Sequence, residues 1–231
     1  MPKTATYPIP SAWSYRKAIE RFSAPQTASQ YPSRFRPDHW RERREKRCIT
    51  KALRHIPPGS RVLDLPCGTG RLTRLLMDHG FRVTAADVSA AMLATARVNI
   101  AQRQPTGEGA APHVDFELRD VMQTGYADGQ FDAIVCNRLF HHFTESGTRR
   151  RALKELRRIS RGPVIISFFN SFALDAVYRR LRDKVRGRMR RDRIPIPYTT
   201  FHAELLAADF RIHKTIAVRW GISPHWYVVA V

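Results

Sequence analysis

Val62-Leu63-Asp64-Leu65-Pro66-Cys67-Gly68-Thr69-Gly70-Arg71-Leu72 reads as a buried strand that breaks into a glycine turn and opens a helix. Val62, Leu63 and Leu65 suit a strand covered on both faces. Gly68 and Gly70 permit positive φ, and their missing Cβ atoms let a ligand touch the backbone. Helical spacing in Arg71-Leu72-Thr73-Arg74-Leu75-Leu76 leaves N–H groups at the bend without intrahelical partners. A plain strand-to-helix turn has the same appearance, because a lone Gly-x-Gly is unspecific.

Two further acidic positions add weight to the ligand reading. Phe81 to Ala86 reads as a second strand ending in Asp87, which lies 87 − 64 = 23 residues beyond Asp64. In a doubly wound sheet that carboxylate sits beside the end of the first strand and suits the vicinal hydroxyls of a ribose. Val114 to Leu118 alternates like a third strand and delivers Asp120 and Val121, with Asp120 suited to an adenine amino group. For either aspartate alone, a helix N-cap is the commoner role. A fourth apolar run, Phe131 to Asn137, leads into Arg138-Leu139-Phe140-His141-His142-Phe143.

Taken together these residues resemble the class I S-adenosylmethionine-dependent methyltransferases, from about Arg61 to the end of the chain. The family's first motif has the form acidic-x-Gly-x-Gly-x-Gly. Here Asp64, Gly68 and Gly70 fill it, and Pro66 stands where the first glycine would be. Proline fixes φ and lacks an N–H, so a stiffer variant of the turn is expected around the methionine end of the cofactor. The resemblance implies an α/β fold: a Rossmann-like, doubly wound seven-stranded sheet with an antiparallel C-terminal hairpin. It also implies S-adenosyl-L-methionine as cofactor. Asp64 and the Gly68 to Gly70 backbone would hold the methionine end, Asp87 the ribose, and Asp120 with Val121 the adenine. Pro66, Cys67, Thr69, Val88 and Asn137 would complete the contacts.

Phe140-His141-His142 is similar to a Leu-His-His segment of enzymes in ubiquinone and menaquinone biosynthesis. It differs from the Asn/Asp-Pro-Pro-Tyr/Phe segment of enzymes that methylate amino groups of nucleic-acid bases. His141 and His142 are the candidate general bases, since an unperturbed imidazole titrates near neutral pH. The bland alternative is a pair of helix-start histidines satisfied by backbone. A nicotinamide-binding domain would want glycine or alanine at the third motif position, which is Thr73 here.

Charge is the unusual property. Forty Lys and Arg against 20 Asp and Glu give a formal +20, a field that attracts anions without naming them. The cations cluster at Arg41 to Arg47, at Arg149 to Arg151 and between Arg179 and Arg193. Within the last run Leu174, Tyr178, Leu181, Val185 and Met189 fall at helical spacing among arginines, a pattern suited to an anionic membrane surface or to phosphate. A solvated cap over the active site is the competing reading. Phe168, Phe169, Phe172 and Tyr178 are expected to form an apolar wall beside this basic rim, fitting a hydrophobic or lipid-linked acceptor with negative charge.

Residues 1–58, with Trp13, Tyr31, Phe35 and Trp40, are expected to be a helical extension that closes over the cofactor. Residues 59–231 would form the methyltransferase domain, with a basic helical insertion at about 170–197. Cys48, Cys67 and Cys136 show no paired spacing and no metal pattern, which suits a reducing, cytoplasmic compartment. The N-terminus lacks a signal-peptide core, and no stretch approaches a membrane span. RNA and protein acceptors, and a non-catalytic module for anionic surfaces, remain alternatives. Oligomeric state is not legible.

Overall fold

The computed structural model describes residues 13–24, 26–27, 40–102, 114–187 and 193–231. Two helices come first, α1 (Trp13–Ser23) and α2 (Trp40–Leu53), followed by β1 (Arg61–Asp64), α3 (Arg71–Asp78), β2 (Arg82–Asp87), α4 (Ala90–Ala101) and β3 (Val114–Leu118). β4 (Ala133–Cys136) runs into a short 3-10 turn, Phe140–His142. α5 (Ser146–Ile159), β5 (Val164–Phe169), α6 (Leu174–Val185), α7 (Tyr198–Leu206), β6 (Ile212–Ala217) and β7 (His225–Ala230) complete the order. Met189, Arg190 and Arg191 of the expected basic helix, and Tyr31 and Phe35 of the extension, lie outside the described residues.

The seven strands form one sheet in the order β3-β2-β1-β4-β5-β7-β6. The five from β3 to β5 pair in parallel, while β7 runs antiparallel to both β5 and β6. This is the doubly wound sheet with an antiparallel C-terminal hairpin that the resemblance implies. Alternation along each strand divides the core between the two faces. Leu63, Ile134, Cys136, Ile166 and Phe168 pack with Leu153 and Leu156 of α5 and Phe201 and Leu205 of α7. Val62, Val83, Val135 and Ile165 pack on the other face with Leu72 and Leu76 of α3 and Ile49 and Leu53 of α2. Helices on both faces are why these strands read as near-continuous apolar runs.

The position of β1 creates the site. Asp64, its last residue, is paired with Ala85 of β2 on one side and Val135 of β4 on the other. The chain winds outward from β1 in both directions, and crevices for ligands open at the carboxyl ends of strands where the winding reverses.

Two expectations about surface and core are corrected. Phe168 is fully buried and stacked on Phe201 with ring centroids 4.6 Å apart, whereas Phe172 and Tyr178 are exposed, so the four aromatics make no common wall. Arg149 is not part of a surface patch. It is buried, donates from Nε to Glu204 at 2.7 Å, and donates from Nη1 to the carbonyls of Phe143 and Thr144 at 2.8 Å each. A bidentate guanidinium with its remaining donors satisfied is an arrangement the interior tolerates. No helix among the described residues is long and apolar enough to cross a membrane.

Candidate active site

Between Leu65 and Arg71 the chain must leave β1 and start α3 in a few residues. Pro66 follows a cis peptide bond, and Gly68 and Gly70 take φ of 54° and 79°. A Cβ on Gly68 would meet nothing within 4 Å, whereas one on Gly70 would meet the Ala96 Cβ at 3.2 Å. Gly68 therefore keeps a surface clear for a ligand, and Gly70 lets α3 sit close to α4. The turn is tied to its neighbours: Cys67 donates to the carbonyl of Ala86 at 2.8 Å, and the Asn99 side chain donates to the carbonyl of Thr69 at 2.9 Å.

The turn floors an open cavity with an empty volume of about 940 Å³, solvent at its mouth included. Asp64, Pro66, Cys67, Gly68, Thr69, Asp87, Val88, Asp120, Val121, Asn137 and His142 all lie on its wall. Gly70 stands behind that wall as the N-cap of α3. Three strand-end carboxylates thus converge from β1, β2 and the segment after β3. The Asp87 Oδ1 accepts from the Ser89 N–H at 2.9 Å, and Oδ2 accepts from Gly68. Asp64 accepts a 2.7 Å hydrogen bond from the Thr73 hydroxyl. Burial pushes the Asp64 carboxyl up to about 7 against that bond, and Asp87 up to about 6 against its backbone donors. Carboxyls raised this far by burial are drawn to their ionised form by a ligand that brings positive charge and hydroxyl donors.

The two histidines separate. His142 faces the cavity and meets Phe22 edge-on at 5.1 Å, whereas His141 is buried and stacked on Phe169 at 4.1 Å, off the cavity wall. Burial, then the neighbouring His142 and Arg138, hold the His141 imidazole well below its ordinary range.

Four wall residues carry no sequence motif. Tyr15, Ala18, Ile19 and Phe22 of α1 line the cavity, and α1 is held at both ends: Thr144 N–H donates to Ser14 Oγ at 3.1 Å, and Ser89 Oγ donates to the Phe22 carbonyl at 2.7 Å. The Tyr15 hydroxyl is buried beside the Asp120 carboxylate, and burial together with that carboxylate raises its pKa.

Arg71 and Arg138 also reach the cavity and are organised from behind by α2. Glu42 accepts from Arg71 at 2.8 Å, and Glu45 accepts from Arg71 at 3.1 Å, from Arg138, and from His225 Nδ1 at 3.1 Å. Burial opposes a charge on Glu45, but His225, Arg138 and Arg71 hold its carboxyl well below the carboxylate range. Arg138 itself has φ of 59°, a conformation that is costly for a residue with a side chain. Its N–H donates to the Ser167 Oγ at 2.6 Å, and next to it the Asn137 amide oxygen accepts from the Tyr227 hydroxyl at 3.1 Å. Arg71 could be noticed in the sequence, since it follows Gly70 directly. Tyr15 and Glu45 leave no local signal.

A mostly parallel sheet with a glycine turn after β1 and carboxylates at successive strand ends defines a cofactor-binding α/β protein. Comparison with known proteins narrows this. Residues 62–162 match a family model described as a methyltransferase domain. The demethylmenaquinone methyltransferase of Renibacterium salmoninarum is 29% identical over 130 residues, covering 55% of this chain and 48% of that protein. The ubiquinone biosynthesis O-methyltransferase of Xanthomonas campestris pv. campestris is 29% identical over 131 residues, covering 54% of this chain and 52% of that protein. The chain thus spans about half the length of these curated relatives. The magnesium protoporphyrin IX methyltransferase of Synechocystis, crystallised with S-adenosylhomocysteine, shares the fold with a TM-score of 0.74 at 15% identity, covering 94% of this chain and 98% of that one. Residues 62–162 thus read as a methyltransferase domain, and the fold is the one shared by solved methyltransferases.

Proposed function

We propose that the chain transfers a methyl group from S-adenosylmethionine to a hydrophobic or anionic acceptor, one that lipid-linked molecules would satisfy. The observation that carries this reading is the single cavity wall shared by Asp64, Asp87, Asp120 and His142 with the apolar residues of α1. The residues fit the cofactor: open space at Gly68 admits its close approach, and carboxylates suit its cationic and hydroxyl groups. When bound, the cofactor supplies an already activated methyl on a sulfonium.

The protein's own part is then alignment and exclusion of water. Asp64 and the turn hold the methionine end, Asp87 the ribose, and Asp120 with Val121 the adenine. Arg71 and Arg138 present positive charge to a carboxylate. Ile19, Phe22, Leu139 and Phe143 give the cavity an apolar side on which the acceptor is placed, with α1 as its cover. Where the acceptor is a hydroxyl or an ammonium, His142 takes the proton at a ring nitrogen.

Calorimetry with S-adenosylmethionine tests the cofactor half, and no heat at any pH between 5 and 8 would sink it. Incubating cell fractions with cofactor labelled in the methyl group tests the acceptor half. Label in the lipid or small-molecule fraction supports the reading. Label in RNA or protein replaces it, and cofactor binding without incorporation points to a non-catalytic module.

A further inference from the structure

The helix α6 is amphipathic the wrong way round. Its inward face carries Ala176 and Asp183, both buried, whereas Leu174, Tyr178, Leu181 and Val185 are 64, 65, 60 and 87% exposed. These four fall at i, i+4, i+7 and i+11, so they form one stripe along the helix. Further large apolar side chains are exposed near the helix start. Leu174 and Asp175 donate to the carbonyls of Gly221 and Ile222 at 2.9 and 3.1 Å, which seats α6 on the β6–β7 turn. Beside that turn Trp220 is 80% exposed, and Phe172, just before the helix, is 71% exposed. Six large apolar side chains exposed on α6, the residues before it and the turn that seats it exceed the scattered exposure normal for a soluble surface.

Cations flank the stripe. Arg180, Lys184 and Arg186 are exposed and Arg179 and Arg182 half-buried, while the two acidic residues of α6 are engaged, Asp175 with Arg41 at 3.6 Å and Arg179 at 3.5 Å, and Asp183 with Arg182 at 3.3 Å. The Arg41 contact joins α6 to α2, whose Arg43, Arg44 and Arg47 are also exposed. A helix with an apolar stripe outward and cations along its sides is built to lie in the headgroup region of a bilayer, side chains in the acyl boundary and arginines among anionic headgroups.

We infer that α6, with Phe172 and Trp220, docks the protein on an anionic membrane surface. A nucleic acid would use the arginines and leave Leu174, Leu181 and Val185 unexplained. A neutral protein partner would use the stripe and leave the cations unexplained. The bilayer uses both. α6 follows the carboxyl end of β5, the edge of the sheet at which the cavity opens, so the docked face and the cavity lie toward the same end of the strands. The inference does not depend on methyl transfer and extends the proposed function only by bringing a lipid-linked acceptor within reach.

Flotation with vesicles of equal parts phosphatidylglycerol and phosphatidylcholine, or of phosphatidylcholine alone, tests it. Binding to the anionic vesicles is expected to be at least about tenfold tighter and to weaken with salt. Tryptophan emission should shift to the blue on binding, and Trp220→Phe should remove most of that shift. The double variant Leu181→Asp, Val185→Asp should lose vesicle binding while its melting temperature and cofactor affinity stay those of the parent. A charge variant, Arg180→Glu with Lys184→Glu, should lose the preference for anionic vesicles. Binding that survives the double aspartate variant overturns the inference. So does a parent that ignores vesicles, whether the double variant then turns a dimer into a monomer or abolishes binding to single-stranded RNA. Failure of these arms with intact cofactor binding leaves the proposed methyl transfer standing.

Discussion

The Gly68 N–H donates to Oδ2 of Asp87 at 2.9 Å, so the turn after β1 and the end of β2 are one hydrogen-bonded unit. The same carboxylate receives Ser89, which caps α4. Asp87→Ala therefore leaves two backbone N–H donors without their carboxylate acceptor and removes the expected ribose contact. Charge-assisted bonds of this kind are worth about 1.5–3 kcal/mol each, so cofactor affinity in calorimetry should fall at least about tenfold. Unchanged affinity would remove the ribose assignment.

Gly68 and Gly70 separate two roles of a glycine. Alanine at either position suffers a left-handed backbone penalty of about 1–2 kcal/mol. Gly70→Ala adds the clash with Ala96 and should lose the more stability in chemical unfolding. Gly68→Ala meets no protein atom and should lose cofactor affinity out of proportion to its stability.

The raised carboxyls make a pH prediction of definite sign. Between the unfolded value of 3.8 and the folded values of about 7 for Asp64 and about 6 for Asp87, the folded state holds protons that the unfolded state has released. Their contribution to stability thus falls as pH rises through that window. His141 and His225, both held below the ordinary imidazole range by burial, act in the opposite sense as pH falls below about 6.5. The clean measure is the difference in melting temperature between parent and Asp64→Asn, which should turn in favour of the variant from pH 5 to 8. Cofactor binding, which favours the ionised carboxyls, should tighten over the same range and release protons, seen as heats that depend on the buffer.

Of the two histidines, only His142 lies on the cavity wall. His142→Ala should spare cofactor affinity and slow turnover, about 10²–10⁴-fold if it serves as general base. His141→Ala empties a buried position stacked on Phe169 and should appear chiefly as lost stability. Equal turnover for His142→Ala and parent would exclude the base.

Glu45 is the buried acceptor shared by Arg71, Arg138 and His225. Breaking such a network from one side costs about 3–5 kcal/mol, a drop on the order of 10 °C in melting temperature for a domain of this size. Glu45→Ala should also weaken cofactor binding, because the two arginines it aims lie on the cavity wall. A variant that melts like the parent would show that α2 does not organise the site.

The strand ends were readable because each joins a strand-like pattern, apolar in β1 and β2 and alternating in β3, to an aspartate at or just after its close, a signal that needs no knowledge of its neighbours. Asp64, Asp87 and Asp120 are legible for that reason, and so is the sheet they terminate. Tyr15 and Glu45 are not, since each acts across more than a hundred residues of chain, Tyr15 against Phe143 at 5.8 Å and Glu45 against His225 at 3.1 Å. The charge clusters were legible as composition but not as location. Arg149 counts toward a basic segment in the sequence and is an internal strut in the fold, whereas α6 shows the converse, an apolar stripe that periodicity identifies and only the packing turns outward.

That distinction matters to anyone re-engineering the chain for lower isoelectric point. Arg71, Arg138 and Arg149 are framework and have to be kept, each for the carboxylate it holds. Exposed cations such as Arg43, Arg44 and Arg47 can be recoded without the scaffold registering the change. Recoding those along α6 would yield a molecule that still melts where it did, yet, by the docking inferred above, has lost its address.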